Sequence, residues 1–177
     1  MGILRDPQAC LRRMLSKCHA LQTWNGATYS EAQLLTRIYL DVMPDPANGS
    51  THTPAELNAL RPFIVVGVSG QNPVVMKRDA MGGGGGAYDL SGSLVIMLEQ
   101  NAVGDDEAEV DANFIDLLER MFYTGNDAQP GLMDLTGLAD SIAIKTINLE
   151  VIARSQPDEI VSFGDAQFAR IRIDWGT

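Results

Sequence analysis

The chain has little of what most chemistry requires. Its 177 residues include two cysteines, two histidines and 13 basic side chains against 23 acidic ones. Structural zinc takes four ligands in tightly spaced pairs, and Cys10 and Cys18 with the adjoining His19 do not supply them, so no metal is expected. On a helix these cysteines stand two turns apart along one face, too far to bridge, and read as core-facing free thiols of a reducing compartment. His52 falls in a linker and His19 on a helix, so neither has a triad around it. The serine of "VSGQ" lacks the preceding glycine of a nucleophile elbow. No catalytic residue and no cofactor is predicted.

The shortage of cations excludes further classes. A formal charge of −10 and a pI near 4.5 argue against a sequence-independent grip on nucleic acid and against anionic membrane surfaces. No run of about 18 apolar residues is present, so no membrane-crossing helix is expected. The opening "MGILRDPQACLRRMLSKCH" scatters charges and has no apolar stretch, so no signal peptide is expected there. Asp6 stands where a myristoylation motif needs Ser or Thr.

What the chain does have is glycine, five in a row at Gly82–Gly86. A phosphate-binding loop would follow the run with Lys and then Ser or Thr. Here Ala87, Tyr88 and Asp89 follow, and the next residues alternate as a strand instead of opening a helix. The run therefore reads as a hairpin tip. The acidic stretch "GDDEAEVD" lacks the spaced ligands of a calcium loop and reads as a helix start, where carboxylates meet the positive end of the helix dipole.

Asp6 and Pro7 open a helix whose stripe is Leu11, Met14, Leu15, Cys18 and Leu21, stopped by Asn25-Gly26. Ser30 and Gln33 form a capping box for a second helix over about Ser30–Met43, with Leu34, Leu35, Ile38, Tyr39 and Val42 on it. Thr53, Pro54 and Glu56 signal a short third helix, and "RPFIVVGVSG" a buried strand. "NPVVMKRDA" and "YDLSGSLVIMLEQ" are the arms of a long hairpin around the glycines. A helix follows with Val110, Phe114, Leu117, Leu118, Met121 and Phe122 inward, then a turn in "GLMDLTGLADSI". Two strands close the chain, one placing Ile147, Leu149, Val151 and Ala153 on one face, the other Ala169, Ile171, Ile173 and Trp175. With no parallel crossover required, the expected fold is α+β: a mostly antiparallel sheet, helices packed on one face, and a long protruding β-hairpin arm. Residues 1–177 form one domain, with a helical N-terminal part (1–60, linker 43–53) and an α+β core (61–177).

The candidate interaction residues are cations and the arm tip. Arg170 and Arg172 lie with Asp174 on the face of the last strand opposite its apolar set; Arg154 stands on the other closing strand. Lys77, Arg78 and Tyr88 stand at the base of the tip formed by Gly82, Gly83, Gly84, Gly85 and Gly86. Guanidinium groups suit carboxylates across an interface, although solvated surface residues would read the same way. A two-stranded arm is marginal alone and gains order against a neighbour.

In order and spacing, "RPFIVVGVSG", "YDLSGSLVIMLEQ", "EVDANFIDLLERMF", "LADSIAIKTINLEVI" and "GDAQFARIRIDWG" resemble the tail terminator (tail completion) proteins of long-tailed bacteriophages. The resemblance covers about Arg61 to Trp175, and the second helix and linker depart from it. It implies a non-enzymatic virion protein made in the host cytoplasm. Such proteins form a ring, usually of six copies, that ends the tail tube. The implied partners are further copies of the chain, the tail tube protein and a head–tail connector or stopper protein. DNA would pass through without specific binding, and no membrane is involved. Another neck or connector protein of related fold, or a small intracellular ligand-binding domain or enzyme, are the alternatives.

Overall fold

The computed structural model describes residues 6–43, 45, 46, 49, 51–69, 75–78, 88–138, 141–155 and 166–176. Asp6 caps helix α1 (Pro7–Lys17) by accepting from the Gln8 N–H. The expected single helix breaks at Cys18, whose extended backbone separates α1 from a short α2 (His19–Gln22). The chain then turns through Trp24–Gly26, where Asn25 and Gly26 take the left-handed conformations that end a helix (φ 52° and 74°).

The second helix is shorter than the sequence suggests. The Ser30–Gln33 capping box is present, but α3 covers only Glu31–Leu35, and Ile38–Leu40 forms strand β1. Tertiary pairing overrides a helical period here, since β1 runs parallel to β2 (Phe63–Val68), with Ile38 opposite Ile64. That parallel pair also corrects the expectation of a crossover-free sheet. Between the two strands lies α4 (Pro54–Leu60), whose capping box joins Thr53 and Glu56.

The remaining elements fall where the sequence places them. Strands β3 (Val75–Arg78) and β4 (Tyr88–Asn101) pair as the hairpin arms, and α5 (Glu107–Phe122) starts at its Asp106 cap. Strands β5 (Ala143–Ser155) and β6 (Ala166–Gly176) close the chain. The sheet order is β1-β2-β4-β6-β5 with β3 beside β4, and every pair except β1–β2 is antiparallel. Tyr88–Leu90 extends past the last β4–β6 pair, Ser91 with Gly176, with β3 alongside. The expected hairpin tip, Gly82–Gly86 included, lies outside the described residues.

One face of the sheet carries the core. Ile64, Val66, Leu94, Ile96, Ile171 and Ile173 share that phase and are buried with Leu11 and Leu15 of α1 and Phe114 and Leu118 of α5. Cys10 and Cys18 are both free and buried in this layer. Burial, aided by the nearby Asp134 charge, pushes the Cys18 thiol well up, so it stays protonated. A buried polar chain crosses the same layer. The Trp24 indole N–H donates to Gln100 Oε1 (2.6 Å), Gln100 Nε2 to Gln167 Oε1 (3.0 Å), and Gln167 Nε2 to the Val110 carbonyl (3.2 Å).

Strand β5 departs from simple alternation. Its register against β6 shifts between Ile144 and Thr146 and again between Leu149 and Val151, which inserts Lys145 and Glu150 as extra residues. Ile147 and Leu149 stand opposite Ile173 and Ile171 on the helical side, as expected. After Glu150 the phase flips: Val151 and Ala153 stand opposite Arg170 and Phe168 on the other face, and Ile152 opposite Ala169 takes the helical side. The expected four-residue stripe is therefore cut in two.

Candidate functional site

The face of the sheet away from α1 and α5, helix-free among the described residues, holds the two predicted arginines whose side chains are described. Arg170 Nε meets Glu150 Oε2 at 2.9 Å, and Arg172 Nη1 meets Glu150 Oε1 at 3.7 Å. Glu150 follows Leu149 of the helical side, so alternation turns it to this face, and the bulge sets Val151 beside it there. Arg172 Nε also lies 3.4 Å from Asp174 Oδ1, an ionic contact without hydrogen-bond alignment. Asp174 in turn accepts from Ser93 Oγ (2.5 Å), Thr146 Oγ1 (2.7 Å) and Asn148 Nδ2 (3.3 Å). The Ser93 hydrogen bond is the main reason its carboxyl is held below the ordinary aspartate range, against the opposing effect of burial. The arginine side chains remain 52% and 42% exposed, so each can meet a second anion without losing its partner in the chain.

Next to this charged cluster the face turns apolar. A groove of about 340 Å³ is lined by Phe63, Val65, Met97, Val151 and Phe168, with Arg170 at its rim. Arg61 and Glu99 pair at 2.6 Å alongside, and Phe63 packs at a tilt against Tyr39. Sequence reading passed over Glu150 and this groove. The available signal was an apolar residue in the polar phase of a strand: Met97 among Ser91, Ser93 and Val95, and Phe168 beside Arg170.

The other predicted residues are not gathered here. Lys77 and Arg78 pair with Asp89 and Tyr88 at the hairpin, whereas Arg154 pairs with Gln167, which stands opposite Gln100 at the far end of β4. Tyr88 and Gln100 are separated by roughly 40 Å at the rise of a strand. The candidate cations thus divide between the two ends of the sheet, with Arg170 and Arg172 between them.

Two further features have structural roles. Asp134 accepts from the backbone N–H groups of Thr124 (3.0 Å), Gly125 (3.2 Å) and Gly131 (2.8 Å), which ties the loop after α5. Burial pushes its carboxyl up, but these hydrogen bonds outweigh that effect and hold it below the ordinary range. The acidic stretch caps α5, with Asp106 accepting from the Glu109 N–H. Among the described residues no group of three or more His, Cys, Asp or Glu is placed to hold a metal, and no helix is long and apolar enough to cross a membrane.

No protein family matches the chain, and no curated protein matches it. Among solved structures, a chain of the "Virion of native gene transfer agent (GTA) particle" is similar at a TM-score of 0.40 and 12% identity, covering 96% of this chain and 94% of that one.

Proposed function

We propose that this chain is a non-enzymatic structural component of a phage-like virion. In this reading it assembles as a ring of six copies at the head-proximal end of a tail, ends the tail tube and joins it to a connector or stopper protein. The observation that carries the reading is the sheet. Strands β4, β5 and β6 run 14, 13 and 11 residues, about twice an ordinary strand, and the core helices α1 and α5 pack on one face of the sheet. Long strands with their core helices on one face suit lateral contact between copies better than they suit a cleft. Their order in the chain is also that of the resembled family.

Arg154, Arg170 and Arg172, with Lys77, Arg78, Tyr88 and the Gly82–Gly86 tip, are the proposed partner-facing residues. Arg170 and Arg172 would add a neighbour's carboxylate to the pairs they already make. The acidic excess would face a bore through which DNA slides without being held. Electron microscopy of the purified chain at rising concentration, with and without tail tubes, tests this. Closed rings that seat on tube ends are expected. A chain that stays monomeric, leaves tube ends bare and binds a nucleotide would overturn the reading.

A further inference from the structure

The sheet carries an exposed apolar patch on each side, and the two differ in charge. On the side of α1 and α5, Ile115 of α5 and Ile152 of β5 are each 46% exposed and line a second groove of about 260 Å³ beside Phe114. Leu149, 43% exposed, precedes Ile152 on that side of the strand. The rim here is acidic. Asp111 and Glu119 stand one turn either side of Ile115, on the same stripe of α5. Both are exposed, and neither has an ion-pair partner among the described residues.

The other side carries cations at its rim. The groove of about 340 Å³ runs over Met97, 43% exposed, and Val151, 48% exposed, between Phe63 and Phe168. A methionine floor adapts its shape to an entering side chain. Met97 stands opposite Arg170, and Val95 opposite Arg172, so the two guanidinium groups follow one another along the groove. They share one close carboxylate, Glu150, while Asp174 beside Arg172 is already engaged by Ser93, Thr146 and Asn148. Each arginine therefore has donors left for an incoming acid.

The two patches match each other, and neither matches itself. Two copies meeting by their α5 sides would set Asp111 and Glu119 against the same carboxylates. Two copies meeting by their grooves would set Arg170 and Arg172 against the same cations. Either arrangement opposes like charges. With the α5 side of one copy against the groove of another, Ile115 would enter beside Met97, and a carboxylate one turn away would meet the arginines.

We infer that copies of this chain join head to tail, the Ile115 stripe of α5 in one copy docking in the Met97 groove on the opposite side of the next copy's sheet. Such a contact uses a different surface on each partner, so it closes into a ring or grows as an open chain. The inference rests on the proposed self-assembly and supplies the contact between neighbours.

Sedimentation equilibrium of the full chain tests it. Wild type should exceed 19.2 kDa as concentration rises. Ile115→Lys spoils the stripe and Met97→Lys the groove, and each should raise the dissociation constant about tenfold or more. Each variant keeps the half that the other lacks, and the two lysines repel. An equimolar mixture should therefore make one contact and stop at twice 19.2 kDa. Val151→Lys, in the same groove, should act as Met97→Lys does. Asp111→Lys should weaken association, most at low salt. Leu138→Lys, at an exposed leucine of the loop before β5, should change nothing. Single variants that associate as wild type does would overturn the inference. So would a mixture that stays at 19.2 kDa while both variants keep the wild-type circular dichroism. Closed rings that Ile115→Lys leaves intact would overturn this contact and leave the ring standing. Open chains that the variants abolish, and that never close on tube ends, would do the reverse. A wild type at 19.2 kDa throughout would overturn both.

Discussion

Replacing Gln100 by Leu isolates the buried polar chain that joins the helical layer to the sheet. Gln100 is 2% exposed, Gln167 1% and Trp24 0%, so none of these groups can turn to water. Leu nearly preserves the volume and removes two partners at once. The Trp24 indole N–H loses its acceptor and Gln167 Oε1 loses its donor. A buried polar group left unpaired costs about 1–3 kcal/mol, so the two together should cost about 2–6 kcal/mol, with part of that returned by the apolar gain of Leu. At a slope of about 2–3 kcal/mol per molar urea, the unfolding midpoint should fall by roughly 1–2 M. Gln167→Leu strands Gln100 Nε2 alone, because the Val110 carbonyl still accepts within α5, and should cost less. The double variant should cost clearly less than the sum, because it removes both members of the shared hydrogen bond. Urea titrations followed by tryptophan fluorescence and circular dichroism read all three. An unchanged midpoint in Gln100→Leu, or strict additivity in the double variant, would refute the buried chain.

Leu118→Ala should cost about 2–5 kcal/mol, because Leu118 is 2% exposed between α5 and the sheet; an unchanged denaturation midpoint would take α5 off the sheet. Asp134 gives a pH dependence whose sign follows from its lowered carboxyl. Its contribution is complete above the ordinary aspartate value of 3.8 and is lost as pH falls through the lower folded value. Thermal unfolding of wild type and Asp134→Asn between about pH 2 and 6 should therefore show a stability gap above pH 4 that narrows toward pH 2. A gap of constant size would remove the charge from the account.

The helical layer was legible because its signals are local. The Asp6 cap and the capping boxes at Ser30 and Thr53 form as the sequence implies, and α5 starts within the acidic stretch, at Asp106. The misreadings came from non-local pairing. Ile38, Tyr39 and Leu40 continue a helical period after Leu34 and Leu35, yet β2 offers them a parallel partner that the sequence does not show. The bulge at Glu150 is likewise invisible in a strand that reads as regular alternation, because only the partner β6 defines the extra residue. For the candidate site, Arg170 and Arg172 could be placed on one face from the period of β6 alone. Their link to Glu150 depends on the register between two strands, which alternation within each strand leaves open.

That bulge also explains how one strand meets two demands. Without it, the residues after Leu149 would keep their phase, Val151 and Ala153 would stay on the helical side, and Ile152 would turn to the face of the arginines. With the bulge, Val151 joins Glu150 on the face where that carboxylate meets Arg170 and Arg172, and Ile152 returns to the helical side beside Phe114 and Ile115. The bulge thus fixes which side chains of β5 line the two grooves, Val151 on the face of the arginines and Ile152 on the helical side.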